Sequence, residues 1–157
     1  HYPLRRQRQM CIRDRFKRNG IHLTVTMPED LPGVIAIPQQ IQQVFLNLLS
    51  NARYALNEKF PDGGEKRKTL AISAGLESTG QGKVVRISVR DQGIGIPAAV
   101  LDRVLNPFFS TKPPDKGTGL GLSISHGIVN DHGGAMRIES VEGEYTLVMV
   151  DLPVKEA

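Results

Sequence analysis

Asn47 and Asn51 stand one helical turn apart. Two amide oxygens on one side of a helix can serve a hard cation such as Mg2+, which takes such oxygens together with phosphate and water. They can equally be half-buried amides satisfied by neighbouring backbone. Asp91-Gln92-Gly93-Ile94-Gly95-Ile96-Pro97 follows an alternating apolar segment. A carboxylate there can accept a hydrogen bond from an exocyclic amine such as that of adenine, and the glycines let the chain turn past a flat ring. An ordinary strand-to-helix turn has the same composition. Pro107-Phe108-Phe109-Ser110-Thr111-Lys112 sets two aromatics in a polar, proline-rich stretch with little core to bury them, beside a lysine that can meet phosphate oxygens. Gly117-Thr118-Gly119-Leu120-Gly121-Leu122-Ser123 runs into an apolar periodic segment. A helix starting there offers unpaired N–H groups to an anion, and glycine lets the backbone approach closely.

These groups need a scaffold, and the hydrophobic pattern supplies one. Ile21–Met27 alternates as a strand, and Pro28–Pro38 is a connector. Gln39–Lys59 is the strongest helix, with Ile41, Val44, Phe45, Leu48, Leu49, Ala52 and Leu56 in one stripe. The asparagines fall at the edge of that stripe, beside Val44. Phe60–Lys66 contains Pro-Asp-Gly-Gly and reads as a turn. Leu70–Leu76 and Val84–Arg90 form a hairpin across a polar linker. Pro97–Val104 is a short helix, Asn106–Gly117 a mobile loop, and Leu120–Asp131 a helix stopped by His132-Gly133-Gly134. Ala135–Val141 and Tyr145–Leu152 close a final hairpin around Glu142-Gly143. The order predicts an α/β sandwich (α+β): one mixed, mostly antiparallel sheet covered on one face by about three helices.

The 157 residues suit one domain with a core. The single cysteine, Cys11, forbids an internal disulfide and points to a reducing compartment, hence the cytoplasm. No apolar run approaches the ~18 residues of a membrane span. The net charge of +4 suggests a nucleic-acid partner, but residues 1–18 alone carry a net of +6, so the remainder sums to −2. The basic character belongs to a tail, residues 1–15, which reads as a remnant or foreign segment ahead of a domain at 16–157. Neither nucleic acid nor membrane is expected to touch that domain. A P-loop is absent, and Gly117 follows a proline-rich loop rather than the strand a dinucleotide fingerprint requires.

The ordered set Asn47-x-x-x-Asn51, Asp91-x-Gly93-x-Gly95, Phe108-Phe109-Ser110-Thr111-Lys112 and Gly117-Thr118-Gly119-Leu120-Gly121 resembles the N, G1, F and G2 boxes of sensor histidine kinases. The likeness runs from about Ile21 to Pro153 and covers their catalytic and ATP-binding domain, of the Bergerat type shared with gyrase and mismatch-repair ATPases. It implies ATP and Mg2+ as cofactors. Asp91 would bind the adenine amine, with Gly93, Gly95 and Ile96 shaping the pocket. Asn51 would ligate Mg2+, and Asn47 would act beside the metal and phosphates. Phe109, Thr111 and Lys112 would belong to an ATP lid, and Phe108 with Phe109 would touch the phosphoacceptor domain. Gly117, Thr118, Gly119, Leu120, Gly121 and Leu122 would form the lid's hinge and the phosphate-facing helix start. Gyrase-like relatives usually carry a glutamate general base where Asn47 stands. Asparagine implies slow hydrolysis and γ-phosphoryl transfer to a supplied nucleophile.

In the family that nucleophile is a histidine on a separate dimerisation domain, and the phosphoryl group passes on to a response regulator. His1, His22, His126 and His132 sit in no acceptor motif. His126 and His132 would point about 120° apart on a helix, which disfavours a shared zinc ion. Without dimerisation helices the fragment is expected to be a monomer. Two departures stand out: Ile37-Pro38 where the family often has Asp, and Glu142-Gly143-Glu144-Tyr145 where it usually has Gly-x-Gly-Thr. Both are expected to lie outside the adenine and phosphate contacts. A stand-alone gyrase-like ATPase, an anti-sigma-type serine kinase and a non-catalytic nucleotide sensor remain alternatives.

Overall fold

The structure is a computed structural model that describes residues 20–61, 68–106 and 121–155. Among the described residues the five strands are β1 (His22–Thr26), β2 (Thr69–Thr79), β3 (Gly82–Asp91), β4 (Ala135–Val141) and β5 (Tyr145–Pro153). The helices are α1 (Pro38–Lys59), α2 (Ala98–Leu101) and α3 (Gly121–Asp131). One sheet has the order β1-β2-β3-β5-β4, with β1 parallel to β2 and every other pairing antiparallel. Parallel neighbours need a crossover, and α1 is that connection.

Helix α1 starts with Pro38, whose missing N–H is no loss in a first turn. It buries Val44, Leu48, Leu49, Ala52 and Leu56, the predicted stripe. These meet Val129 of α3 and alternate residues on one face of the sheet: Leu70, Val89, Val148, Val150 and Leu152. Period 3.6 in the helix and period 2 in the strands thus converge on one core. On the opposite face Asp151 is buried because Arg86 grips it with two bonds, 2.8 Å from Nε and 3.0 Å from Nη2.

The expected elements stand, with adjusted ends. The β2–β3 hairpin is longer and its turn tighter, with Thr79 opposite Gly82. The Thr79 hydroxyl accepts the Gln81 N–H and donates to the Gly82 carbonyl, so most of the polar linker joins the ladder. Helix α2 is shorter than Pro97–Val104. Beyond Leu101 the bonds Arg103 N–H to Val100 O and Asn106 N–H to Arg103 O span three residues, and the helix ends as tight turns.

Candidate functional site

Asp91 ends β3 opposite Leu70 of β2 and Thr146 of β5, and is 5% exposed. The chain leaves the sheet there and folds back at once: the Gly93 N–H donates to Asp91 Oδ1 at 3.0 Å. Burial pushes the Asp91 carboxyl up to about 6, against the Gly93 N–H and the Lys59 charge, which both favour ionisation. A buried carboxylate at a strand end is a strong acceptor held in place before any ligand arrives.

The loop after Asp91 is stitched from three directions. Gly93 lies so close to α1 that a β-carbon would sit 2.6 Å from the Ala55 carbonyl carbon. The Ile94 N–H donates to the same Ala55 carbonyl at 3.2 Å. Gly95 has φ +69°, and a β-carbon there would collide with the Val141 carbonyl and lie 2.9 Å from Glu142 Cα. The Gly143 N–H donates to Ile94 O at 2.6 Å, and Lys59 Nζ donates to Gly143 O at 2.7 Å. The Ile96 N–H donates to Ser140 Oγ at 2.8 Å. Ser140 gives its own proton to Tyr145 O at 2.7 Å, so the 3.1 Å contact with Thr146 leaves Thr146 as donor.

These bonds place the β4–β5 hairpin beside that loop: Ser140, Val141, Gly143 and Thr146 border the Asp91–Pro97 segment directly. The Glu142-Gly143-Glu144-Tyr145 turn is tied to that loop through Gly143. What joins them is the register that sets Asp91 opposite Thr146.

Asn47 and Asn51 project from α1 as half-buried side chains. Asn47 meets the first turn of α3: its Nδ2 donates to Gly121 O at 3.2 Å and to Ser125 Oγ at 3.1 Å. Its Oδ1 accepts from Gln43 Nε2 at 2.9 Å. The structure thus brings together Asn47 and Gly121 at one place and Asp91, Gly93, Gly95 and Ile96 at another, with Gly93 against α1 and Gly95 and Ile96 against the β4–β5 hairpin. Leu122 packs partly buried on the core beside Gly121. Phe108, Phe109, Ser110, Thr111, Lys112, Gly117, Thr118, Gly119 and Leu120 lie outside the described residues, as do the tail expected at 1–15 and the loop expected after Asn106. Among the described residues His126 neighbours Asn130, whereas His132 accepts the Ile37 N–H at 3.0 Å, so the two rings have separate partners.

The sequence reading missed Ser125, Ser140 and Lys59. For the serines a signal existed. Ser125 replaces an apolar residue in the stripe Leu122, Ser125, Val129, and Ser140 continues the inward set Met136, Ile138, Ser140.

Residues 36–156 match the family described as histidine kinase-, DNA gyrase B-, and HSP90-like ATPase. The chain belongs to this family. Among curated proteins it is 39% identical over 146 residues to the sensor histidine kinase ZraS of Escherichia coli K12, covering 93% of this chain and 28% of that protein. It is 36% identical over 138 residues to sporulation kinase E of Bacillus subtilis, covering 88% and 17%. The chain therefore spans less than a third of the length of these relatives. Among solved structures, the nucleotide-free catalytic domain of the histidine kinase ThkA has a TM-score of 0.75 at 29% identity, over 95% of this chain and 89% of that one. Full-length ShkA in complex with AMPPNP gives 0.75 at 25% identity, over 97% and 29%. The five-stranded mixed sheet with helices on one face is thus the fold of histidine kinase catalytic domains, and the histidine kinase-, gyrase B- and HSP90-like ATPase family is one of ATP-binding catalytic domains. No described helix is long and apolar enough to cross a membrane.

Proposed function

We propose that this domain binds Mg2+ and ATP and presents the γ-phosphoryl group to a histidine on a separate dimerisation and phosphoacceptor domain, which in turn serves a response regulator. The observation that carries this reading is the buried Asp91 in a glycine-shaped loop on the same helix, α1, that bears Asn47 and Asn51. Asp91 would take the exocyclic amine of adenine, which a buried carboxylate recognises better than a solvated one. Asn47 and Asn51 offer amide oxygens and no carboxylate, a donor set that suits a cation arriving with phosphate and water ligands. When bound, that cation supplies positive charge to the phosphate oxygens.

An amide at position 47 lacks the basicity to activate water, which favours transfer over hydrolysis. Lys112, Thr111 and Phe109 form the lid in this reading, and Gly117, Thr118, Gly119, Leu120, Gly121 and Leu122 carry the phosphates. Asn51 is the metal ligand. The domain proper is residues 16–157; as a fragment it is a monomer, it is cytoplasmic, and it contacts neither nucleic acid nor membrane.

Calorimetric titration with a non-hydrolysable ATP analogue, with and without Mg2+, tests the first half. Asp91→Asn should weaken binding under both conditions, and Asn51→Ala should abolish its Mg2+ dependence. Incubation with radiolabelled ATP and a cognate phosphoacceptor domain tests the second. Label on histidine supports the reading, whereas label on serine, or rapid release of phosphate without acceptor, overturns it.

A further inference from the structure

Ser125 is fully buried on α3, yet it is polar and lies in none of the motifs that suggested nucleotide binding. Its Oγ is 3.1 Å from Asn47 Nδ2, and the Gly121 carbonyl is 3.2 Å from the same nitrogen. An amide nitrogen has two hydrogens, and these two acceptors use both. The Gly121 carbonyl can only accept, so a flipped Asn47 would set oxygen against oxygen there. It would also set its nitrogen against Gln43 Nε2, which donates to Asn47 Oδ1 at 2.9 Å. The amide therefore has one favoured orientation. Gly121 selects which end faces α3, and Ser125 supplies the second point that stops rotation of the amide plane.

We infer that Ser125 is a positioning residue of the phosphate and metal site: it holds Asn47 so that Oδ1 stays turned away from α3. This rests on the role proposed above for Asn47. Asn47 Oδ1 is then presented at a fixed angle to a cation or to water bound to that cation, with Gln43 as its partner until the ligand arrives. The bond also makes the first turn of α3 follow Asn47. A serine that only filled the core would influence stability but not the response of nucleotide binding to the cation.

The test uses the 157-residue chain, AMPPNP and Mg2+, with Ser125→Ala, Asn47→Ala and the double variant. Thermal melting without nucleotide first establishes that each variant folds, and Ser125→Cys serves if alanine does not. Affinity is measured by calorimetry in Mg2+ and in EDTA. Ser125→Ala is expected to weaken AMPPNP binding three- to tenfold in Mg2+ and to leave binding in EDTA unchanged. In the Asn47→Ala background the same substitution is expected to have no further effect, because its route of action is gone. An unaltered Mg2+ response in Ser125→Ala overturns the inference. So does an equal loss in both backgrounds, which would mean that Ser125 acts independently of Asn47. A native chain that fails to bind AMPPNP at all overturns the functional reading itself, and this inference with it.

Discussion

The two sides of the site are held by different kinds of bond. The Asp91–Pro97 loop is fixed by backbone N–H groups at Gly93, Ile94 and Ile96, and by the Gly143 N–H from the facing hairpin. The start of α3 meets α1 through the side-chain amide of Asn47, with Ser125 and Gly121 as its acceptors. Backbone bonds enclosed by α1 and a hairpin cannot be exchanged without moving whole elements. The Asn47 amide, by contrast, keeps one exchangeable partner in the exposed Gln43 side chain. The comparison teaches that the side proposed for the base is held by its own backbone, while the side proposed for the phosphates depends on the setting of one side chain.

The largest effect should come from breaking the rigid side. Gly95→Ala places a methyl against the Val141 carbonyl in a backbone conformation that disfavours side chains. It should lower stability by about 3 kcal/mol in urea unfolding and remove nucleotide binding. Next, Asp91→Asn should weaken AMPPNP binding on the order of 100-fold, through loss of a charged acceptor. The same variant should be more stable than the native chain at pH 7 by up to about 3 kcal/mol, because it no longer buries an ionised carboxylate. Loss of binding together with loss of stability would contradict the assignment of Asp91 as a preformed acceptor.

The pH dependence follows from the same group. Asp91 titrates near 6 in the folded chain against an ordinary 3.8, so the folded state holds this proton more tightly than the unfolded state. Its contribution to stability is full below about pH 4 and disappears as the pH rises through about 6. Binding runs the other way, since the amine of adenine needs the ionised form. Affinity should fall about tenfold between pH 7 and pH 5, beyond any change seen with Asp91→Asn. The smallest effect is expected from Ser140→Ala, which loosens the loop without touching its carboxylate. It should reduce stability by about 1 kcal/mol and weaken AMPPNP binding about threefold, equally in Mg2+ and EDTA. A selective loss in Mg2+ would erase the division between the two sides.

Much of this was legible in the sequence because it rests on short-range patterns. The stripe from Ile41 to Leu56 is one helix face, and alternation marks both hairpins. Asp91, Gly93 and Gly95 are a local motif whose turn is closed by the Asp91 side chain itself. The contacts that escaped prediction span long separations. Ser140 meets Ile96 across 44 positions, and Asn47 meets Ser125 across 78. The order of strands in the sheet brings the first pair together and the packing of α1 beside α3 the second, and no local pattern encodes either. The β4–β5 turn follows the same rule: its sequence shows a hairpin, but not which loop the hairpin closes on.

The bond between His132 and Ile37 gives the pair of helices a mechanical character. Gly121 meets Asn47 at one end of α3, and His132 meets Ile37 at the other. The His132 ring is itself fixed by Nδ1, 2.7 Å from the Ile128 carbonyl. At 1.5 Å per residue α3 is a lever about 16 Å long, lying antiparallel to the first half of α1. With its far end pinned, a movement of about 1 Å at Gly121 is a rotation of only about 4°, within the angular tolerance of a hydrogen bond. The mouth of the site can shift while its fulcrum stays bonded, so strain introduced at the phosphate end reaches the opposite end of the domain as a small tilt rather than as a broken contact.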